Sequence, residues 1–200
     1  MNKARHSFSR DVNQIIGTRR SKRAISEEPI GSEKIETIVS AAHLAPSCFN
    51  NQPWRLVLVQ SPERLKKIKD ALPDGNYWAR KAPLFIAVTS APDMDCQLSW
   101  NRVYFKFDCG LAVENLLLQA TDLGLVAHPI AGFDPSASRE VLEIPDGVQL
   151  ITFVVVGKPG NPEELSQKHR KEEETARKRK PLEEVVTRES YDFEQEEDEN

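Results

Sequence analysis

Four of the five residues from Arg19 to Arg23 are positively charged, and no acidic residue interrupts them. If this segment is extended, alternate side chains face the same way, which places Arg19, Ser21 and Arg23 on one side. Two guanidinium groups beside a hydroxyl suit a phosphate monoester, because arginine can bind two phosphate oxygens at once. The segment therefore indicates a phosphate site. A solvated basic turn is the alternative, since short basic runs are common in proteins.

A second candidate is the polar stretch from Ala45 to Trp54, which lies between an expected helix and an expected strand. Proline, serine and asparagine favour turns, so backbone amides here are free to face a ligand. The side-chain amides of Asn50 and Gln52 stand at alternate positions and suit a flat heterocycle that carries carbonyls and ring nitrogens. The alternative is a polar connection in which Trp54 simply packs into the core.

Two weaker candidates lie further along the chain. The stretch from His128 to Asp134 reads as a strand that leads into a turn, where Gly132 would let the backbone approach a ligand closely. A plain strand-to-helix connection is the alternative, and His128, which precedes a proline, is expected to be structural. Arg177 and Arg179 would face one way in an extended chain, or form part of a solvated tail. Acidic residues interrupt this basic run and no aromatic residues alternate with it, which argues against nucleic-acid binding.

The cysteines and histidines show no disulfide or metal-binding pattern. Cys48, Cys96 and Cys109 are odd in number and widely spaced, so we expect inert thiols in a protein of the reducing cytoplasm. The four histidines show no metal-ligand spacing with one another or with the cysteines, and no metal site is expected.

The composition is that of an ordinary globular domain. Of the 200 residues, 39% are hydrophobic and 29% are charged, and the net charge is −4, which gives no general attraction to polyanions. The longest apolar runs, such as Leu150 to Val156, are far shorter than the roughly 20 residues that cross a bilayer. No apolar stretch follows the charged N-terminus, so a signal peptide is not expected. We expect one domain that binds neither membranes nor nucleic acid.

Hydrophobic periodicity, caps and turn residues predict a mixture of helices and strands, hence an α+β domain. Helices are expected at 9–17, from the N-cap Ser32, from Ser61-Pro62-Glu63, at 102–123 before Gly124, and from Asp134-Pro135. Strands are expected at 55–59, 84–89 and 149–156. The helix at 102–123 is apolar on nearly all sides, which suggests that a partner subunit covers part of it.

The character of the sequence changes after Gly157. The stretch from Lys168 to Lys180 is dense in charge, and the end of the chain is acidic. Such a tail cannot form its own core, so it is either disordered or packed along another surface. Pro181 to Val186 has the mixed pattern of an arm that docks. We divide the chain into a domain at 1–160 and a charged arm at 161–200, which would be part of the same domain in a dimer.

Taken together and in this order, the four candidate stretches resemble the FMN-dependent nitroreductase family of NAD(P)H-dependent nitroreductases and flavin oxidoreductases. The motifs that carry the resemblance are Arg-Arg-Ser-x-Arg, Ala-Pro-Ser-x-x-Asn-x-Gln-Pro-Trp, Gly-Leu-Ala-x-Glu-Asn-Leu-Leu-Leu-Gln-Ala, Leu-Gly-Leu, Pro-Ile-Ala-Gly-Phe-Asp and Arg-x-Pro-Leu-Glu-Glu-Val. The likeness covers roughly residues 12–157 and 177–186, and its specificity lies in the combination of these motifs in register.

The resemblance implies a nitroreductase-like α+β fold, in which helices flank a central, mostly antiparallel sheet and a C-terminal arm extends to the dimer partner. It implies a homodimer with an FMN in each of two interface sites. Matched by position, the residues that would hold the FMN phosphate and ribityl chain are Arg19, Arg20, Ser21 and Arg23, with Arg177 and Arg179 returning to the phosphate. Those that would reach the flavin from the other subunit are Pro46, Ser47, Cys48 and Asn50. Those that would run beside the flavin edge and N5 are Pro129, Ile130, Ala131 and Gly132.

Two departures from the family pattern affect these expectations. Some members have an acidic residue where Ala131 stands, so contact with the flavin N5 would have to come from the backbone amide here. The stretch between Asp93 and Arg102 is short where other members carry insertions over the substrate site, so an open or small roof is expected.

The activity implied is that of an FMN-dependent oxidoreductase that passes hydride from NADH or NADPH to flat small-molecule acceptors such as nitroaromatics or quinones. A shared site would give ping-pong kinetics, and no side chain is expected to act as a general acid or base, because the flavin carries the chemistry. One alternative is an oxygen-dependent enzyme of the same fold that breaks down its own flavin or oxidises a bound substrate. Others are a non-catalytic FMN-binding protein and a peptide- or nucleic-acid-binding module that uses the tail.

Overall fold

The computed structural model describes residues 12–193, in which six α-helices surround one four-stranded sheet. The helices are α1 (Gln14–Thr18), α2 (Ser32–His43), α3 (Pro62–Asp70), α4 (Phe105–Asp122), α5 (Pro135–Val141) and α6 (Gln167–Glu174). The strands are β1 (Arg55–Val59), β2 (Leu84–Ser90), β3 (Val126–Ile130) and β4 (Gln149–Gly157). Short 3₁₀ segments, of which Asp74–Lys81 is the longest described, fill several connections. The predicted α+β class is confirmed.

The strands lie in the order β1-β2-β4-β3, and each neighbouring pair is antiparallel. Every residue of β2 is buried, because helices cover both faces of the sheet. One face packs against α2 and α4, and the other against α3, α5 and the segment Asp74–Lys81. Side chains alternate between these layers, so Ile86 belongs to the first and Phe85 to the second. The antiparallel sheet flanked by helices that the resemblance implied is confirmed.

Helix α4 is the longest described helix and packs along α2. It begins at Phe105 rather than at Arg102, because a separate turn precedes it in which Trp100 is left-handed, with φ of 63°. It ends as predicted: Gly124 has a φ of +69°, which glycine adopts without steric cost. Phe107, on the side of α4 that the chain itself leaves open, is 56% exposed.

Several predicted helix ends differ by a residue from the observed ones. The first three residues of the predicted helix at 9–17 lie outside the described part of the chain, Val12 and Asn13 precede the helix, and α1 runs from Gln14 to Thr18. Gly31 rather than Ser32 occupies the N-cap of α2, because its carbonyl accepts the first helical hydrogen bonds. Asp134 caps α5 through its side chain, as predicted.

None of the helices within residues 12–193 combines the length and the hydropathy that crossing a bilayer requires.

Candidate active site

A short backbone pairing holds the basic segment Arg19–Arg23 against the end of the sheet. Hydrogen bonds of 2.9 Å join the amide of Ser26 to the carbonyl of Lys158 and the amide of Gly160 to the carbonyl of Ala24. Residues 24–26 thus pair with residues 158–160, which directly follow β4. This pairing positions the basic segment, which ends at Arg23, next to the sheet.

Gly160 is required at this pairing because there is no room for a side chain. A Cβ on Gly160 would lie 2.6 Å from the backbone carbonyl carbon of Ile25. Ile25 is itself only 2% exposed, so the core behind it prevents it from moving aside.

A cleft of about 580 Å³ opens beside the basic segment. Its lining comes from both ends of the chain: Arg19, Arg20, Ser21, Arg23, Lys168, Lys171, Glu172, Thr175, Ala176, Arg177, Lys178 and Arg179. The structure thus brings together the first and the fourth predicted stretches. The guanidinium of Arg19 donates to Oγ of Ser21 at 3.3 Å, so these two side chains do share one side of the segment.

The two ends of the chain interlock through reciprocal arginine contacts. Arg20 donates to the backbone carbonyls of Glu172, at 3.2 Å, and Thr175, at 2.9 Å, at the C-terminal end of α6. Arg177 donates to three backbone carbonyls at the end of α1, at 3.1, 3.2 and 3.3 Å. Carbonyls at a helix C-terminus lack partners within the helix and favour a cation. The C-terminal ends of α1 and α6 are therefore each capped by an arginine from the other segment.

Arg19 and Arg23 make few contacts with the described part of the chain. Arg23 forms a 2.7 Å ion pair with Glu172, and Arg19 lies 3.7 Å from Glu114. A guanidinium has five N–H donors. Most donors of these two side chains therefore remain available at the cleft.

Sequence reasoning missed α6, and with it Lys168, Lys171 and Glu172. Of the two alternatives for this stretch, disorder or docking, the structure shows a helix that packs on the protein's own N-terminal segment. The available signal was Ser166, whose side chain accepts the amide of His169 at 3.4 Å as an N-cap.

His128 links the strip Pro129–Gly132 to the basic segment. Its Nδ1 lies 3.0 Å from the carbonyl oxygen of Lys22, to which only a protonated ring nitrogen can donate. The ring of Trp78 packs against it, with centroids 4.6 Å apart. Burial lowers the pKa of His128 to about 4, so the ring is neutral at neutral pH. His128 is structural in this arrangement, and it brings the third predicted stretch to the side of the first.

Asn76 fixes the end of the same strip. Its Nδ2 donates to the carbonyl of Gly132 at 2.7 Å, and a Cβ on Gly132 would lie 2.9 Å from that nitrogen. Ile130 is buried and Pro129 half-buried, whereas Ala131 is exposed. The strip therefore presents its backbone at Ala131 and Gly132. No feature of the sequence around Asn76 marks it for this role.

The loop Pro46–Gln52 has a strained backbone. Phe49, Asn50 and Gln52 have φ of 49°, 58° and 48°, values that residues with a side chain rarely adopt. Oγ of Ser47 accepts the amide of Gln52 at 2.9 Å, and the side chain of Gln52 donates to the carbonyl of Asn50 at 2.9 Å. The Gln52 amide, expected to face a ligand, thus bonds within the loop, while Asn50 is exposed.

Asp108 on α4 anchors this loop, and sequence reasoning missed it. Its Oδ2 accepts the amide of Cys48 at 3.1 Å, and its side chain is buried. Burial raises the pKa of this carboxyl. Its Oδ1 has no hydrogen-bond partner among the described residues. The residues around Asp108 are mostly apolar, as in a helix that packs in the core, so the sequence contains no sign that Asp108 binds the loop.

The prediction that all three cysteines are free thiols is wrong. Cys48 and Cys96 form a disulfide with Cα atoms 5.9 Å apart, while Cys109 is free and buried. The pair is separated by 48 residues in the sequence and meets because two loops converge at the start of α4. A count of three cannot distinguish one bridge and one thiol from three thiols.

Within one protomer the four predicted stretches do not all meet. The loop Pro46–Gln52 contributes nothing to the lining of the basic cleft and lies beside α4 instead. Within residues 12–193, no three histidine, cysteine, aspartate or glutamate side chains are grouped so that they could hold a metal ion.

Comparison with known proteins shows which family the chain belongs to, and the family profile covers the first three of the predicted stretches. The sequence profile described as the Nitroreductase family matches residues 16–158. A protein of Archaeoglobus fulgidus provisionally named NADH dehydrogenase/NAD(P)H nitroreductase is 35% identical over 150 residues, which are 73% of this chain and 84% of that protein. A Bacillus subtilis protein named FMN reductase (NAD(P)H) is 29% identical over 169 residues, which cover 75% of this chain and 68% of its own.

A solved structure agrees with these sequence matches. The crystal structure of an oxidoreductase containing FMN superposes with a TM-score of 0.82 and 30% sequence identity, over 97% of this chain and 100% of the other. The profile matches well over half of the sequence, and the fold matches over nearly all of it. The chain therefore belongs to the nitroreductase family.

Proposed function

We propose that this protein is an FMN-dependent oxidoreductase that passes hydride from NADH or NADPH to flat acceptors such as nitroaromatics or quinones. The observation that carries the proposal is the basic cleft, in which Arg19, Arg23 and cations from the other chain end line one space. Family membership supports a flavin oxidoreductase that uses NAD(P)H, since relatives are named for reactions of FMN and of nicotinamide cofactors.

The donors of the cleft fit the phosphate of FMN. Arg19 and Arg23 keep most of their N–H groups for an anion, and the hydroxyl of Ser21 lies beside Arg19. Arg20 and Arg177 act mainly by holding the walls of the cleft, because their guanidinium groups are bound to backbone carbonyls. Arg179 is exposed at the rim and completes the phosphate site.

When bound, FMN would supply the redox chemistry by accepting hydride at N5 and passing electrons to the acceptor. The exposed backbone of Ala131 and Gly132 would contact the flavin edge, with Asn76 holding it in place. Pro129 and Ile130 anchor that backbone in the sheet. His128 is neutral and already donates to a carbonyl, so no side chain is assigned as a general acid or base.

The proposal includes a homodimer in which the loop Pro46–Gln52 of one protomer reaches the flavin of its partner. Large apolar side chains near this loop and the start of α4 are exposed: Leu44 80%, Phe49 80%, Trp100 93% and Phe107 56%. Exposed apolar side chains in such a group mark an interaction surface. The loop residues assigned to the flavin are Pro46, Ser47, Cys48 and Asn50.

We assign residues 161–200 to the same dimer as an arm of the domain formed by 1–160. After α6 the arm exposes Leu182, Val185 and Val186, at 49%, 54% and 52%. An apolar segment left uncovered on its own protomer suits docking on the partner. We place the protein in the cytoplasm, where NADH and NADPH are available as donors.

The phosphate assignment is tested by replacing Arg19 and Arg23 together with alanine. Each charge-assisted hydrogen bond contributes about 1.5–3 kcal/mol, so the affinity for FMN should fall by at least about 100-fold. FMN titration followed by flavin fluorescence measures it. Arg64→Ala is the matched control, because Arg64 lies on α3 and pairs with Glu143, which follows α5, and neither residue lines the cleft. An unchanged FMN affinity in the double variant would reject the assignment.

The activity itself is tested with the purified holoprotein. NADH or NADPH should bleach the flavin, and steady-state rates with a quinone should give the parallel double-reciprocal lines of a ping-pong reaction. Rapid oxygen consumption with little acceptor turnover would favour the oxygen-dependent alternative. Bound FMN without steady NAD(P)H oxidation would favour a flavin-binding protein, and failure to take up FMN in excess would reject the proposal.

A further inference from the structure

The disulfide between Cys48 and Cys96 joins two loops that both have strained backbones. In addition to the left-handed residues of the loop Pro46–Gln52, Trp100 and Asn101 in the second loop have φ of 63° and 53°. Left-handed residues with side chains persist only where the surrounding structure holds them. The disulfide is the covalent part of that restraint.

The two ends of the disulfide differ in what else holds them. On the Cys96 side, Oδ1 of Asp95 accepts the amide of Cys96 at 2.8 Å and Oδ2 accepts the amide of Tyr104 at 2.7 Å, which ties this loop to the start of α4. On the Cys48 side, the described tie to α4 is one hydrogen bond, from the Cys48 amide to Asp108 at 3.1 Å. Breaking the disulfide would therefore free mainly the loop that contains Cys48.

We infer that the Cys48–Cys96 disulfide is a reversible redox modification site, and that its reduction by a dithiol releases the loop Pro46–Gln52 from the start of α4. On one protomer Cys48 is half-buried whereas Cys96 is 4% exposed, so Sγ of Cys48 is the more accessible of the two sulfurs to a reductant. Reoxidation by the disulfide form of the same reagent restores the bond.

The exchange balances as an ordinary thiol–disulfide reaction. A thiolate of the dithiol attacks Sγ of Cys48, the S–S bond breaks, and Cys96 leaves as a thiolate that takes up a proton. The second thiol of the reductant then displaces Cys48 and closes the reductant into its own disulfide. The protein gains two electrons and two protons, and the dithiol loses them.

Cys109 does not take part and serves as an internal reference. It is 0% exposed, and burial raises the pKa of its thiol to about 11, so it stays protonated and unreactive in the native protein. After unfolding, the oxidised chain has one thiol that can be alkylated and the reduced chain has three.

The effect on the cofactor rests on the proposed function, whereas the exchange itself does not. Ser47 and Asn50 lie on either side of Cys48 in the loop assigned to the flavin of the partner protomer. A loop released from α4 samples more conformations, so it has to be ordered again when FMN binds. Reduction should therefore lower the affinity for FMN.

The first experiment counts thiols. The native protein is equilibrated in mixtures of reduced and oxidised dithiothreitol, quenched with acid, alkylated in denaturant and weighed by intact mass spectrometry. We expect one adduct at the oxidising end, three at the reducing end, and reversal when the mixture is changed. Three adducts in every mixture, or one adduct even in excess dithiol, would overturn the inference.

The second experiment follows hydrogen exchange in the FMN-free protein. Amides in 47–52 should exchange about tenfold faster in the reduced form, and those in 95–104 should change less. The double variant Cys48→Ser/Cys96→Ser should match the reduced form at either redox setting. Cys109→Ala should respond to dithiol as the original protein does. Equal exchange of 47–52 in the oxidised and reduced forms would refute the release of the loop.

FMN titration of both forms completes the test. The dissociation constant should rise about tenfold on reduction, and Cys96→Ser, which removes the disulfide but keeps Cys48, should show the raised value at either redox setting. A protein that takes up no FMN in either form would reject the proposed function but leave the thiol counts and exchange rates as support for the redox site. Equal affinities in two forms that differ in exchange would overturn the effect on the cofactor.

Discussion

At the scale of single residues, the arginines of the cleft divide into two groups by what their guanidinium groups contact. Arg20 and Arg177 donate to backbone carbonyls at helix ends, whereas Arg19 and Arg23 keep donors for the cleft. From the sequence, all four are predicted as equivalent ligands of the phosphate. The structure separates residues that build the cleft from those that are free to bind in it.

Arg177→Ala and Arg179→Ala should therefore have different effects. The first removes three hydrogen bonds to the end of α1, so the free energy of unfolding should fall by roughly 1–2 kcal/mol, reduced by solvent exposure. Arg179 donates only to its neighbour Lys178 within the described structure, so its variant should keep its stability and bind FMN more weakly. Thermal unfolding of the FMN-free proteins measures the first effect and FMN titration the second. Equal losses of stability would contradict this division.

His128 should make stability depend on pH in the acidic range. The pKa of His128 is about 4 in the folded protein and 6.5 ordinarily. Between these two pH values the unfolded chain therefore binds a proton at His128 and the folded protein does not. The free energy of unfolding should therefore fall as pH drops from 6.5 towards 4, by on the order of 3 kcal/mol at the lower end. His128→Gln keeps a donor for the carbonyl of Lys22 and lacks this component.

Urea unfolding at about pH 7 and about pH 4.5 measures the effect as a difference between proteins. The stability advantage of the original protein over His128→Gln should shrink at the lower pH. His43→Gln is the control, because His43 is exposed at the end of α2. An advantage that stays constant between the two pH values would show that the His128 ring is not held neutral by burial.

At the scale of elements, the position of the basic segment depends on the backbone pairing that follows it. The pairing joins residues 24–26 to 158–160, and it depends on a position with no room for a methyl group. Gly160 therefore lies outside the cleft, yet its lack of a side chain determines where the basic segment lies.

Gly160→Ala should destabilise the protein and weaken cofactor binding together. Overpacking costs about 1–3 kcal/mol, and displacement of Ile25 would carry Arg23 away from its place in the cleft. Chemical denaturation and FMN titration measure the two effects. Gly75→Ala is the matched control, since nothing lies within 4 Å of a Cβ at Gly75. A variant at Gly160 with normal stability and reduced FMN affinity would contradict the steric explanation.

The elements that could be predicted are those specified by local signals. Alternating side chains located β1, short apolar β-rich runs located β2 and β4, and Asp134-Pro135 located the start of α5, because these signals depend on neighbouring residues. The disulfide and the anchors Asp108 and Asn76 could not be predicted in this way. Their roles arise where segments far apart in the sequence meet, and a single sequence carries no local sign of such a meeting.

The candidate site was predictable to a similar degree. The basic segment and Arg177 were expected near one ligand, and the structure brings them to one cleft. The positions of Lys168 and Lys171 in that cleft follow from the docking of α6, which charge density alone left open. The loop Pro46–Gln52 lies elsewhere on the protomer, and its assignment to the partner's flavin stays a prediction.

At the scale of the whole molecule, the cleft depends on both ends of the chain. Ending the chain after Gly160 removes α6 and Arg177, so the proposed FMN binding should be lost and the proposed dimer weakened. Absorbance of the purified protein and light scattering measure these changes. A chain that ends at Arg188 keeps the arm through Val186 and should remain a yellow dimer. A yellow dimer from the shorter chain as well would show that the arm contributes to neither property.

The contacts that complete the cleft join residues 152 to 161 positions apart. During synthesis the ribosome finishes β4 at Gly157 before any part of α6 has been made. The residues of the sheet are therefore complete while the chain still lacks the part of the cleft that begins at Lys168. Capture of the cofactor proposed for the cleft should therefore require that synthesis has continued past Arg179.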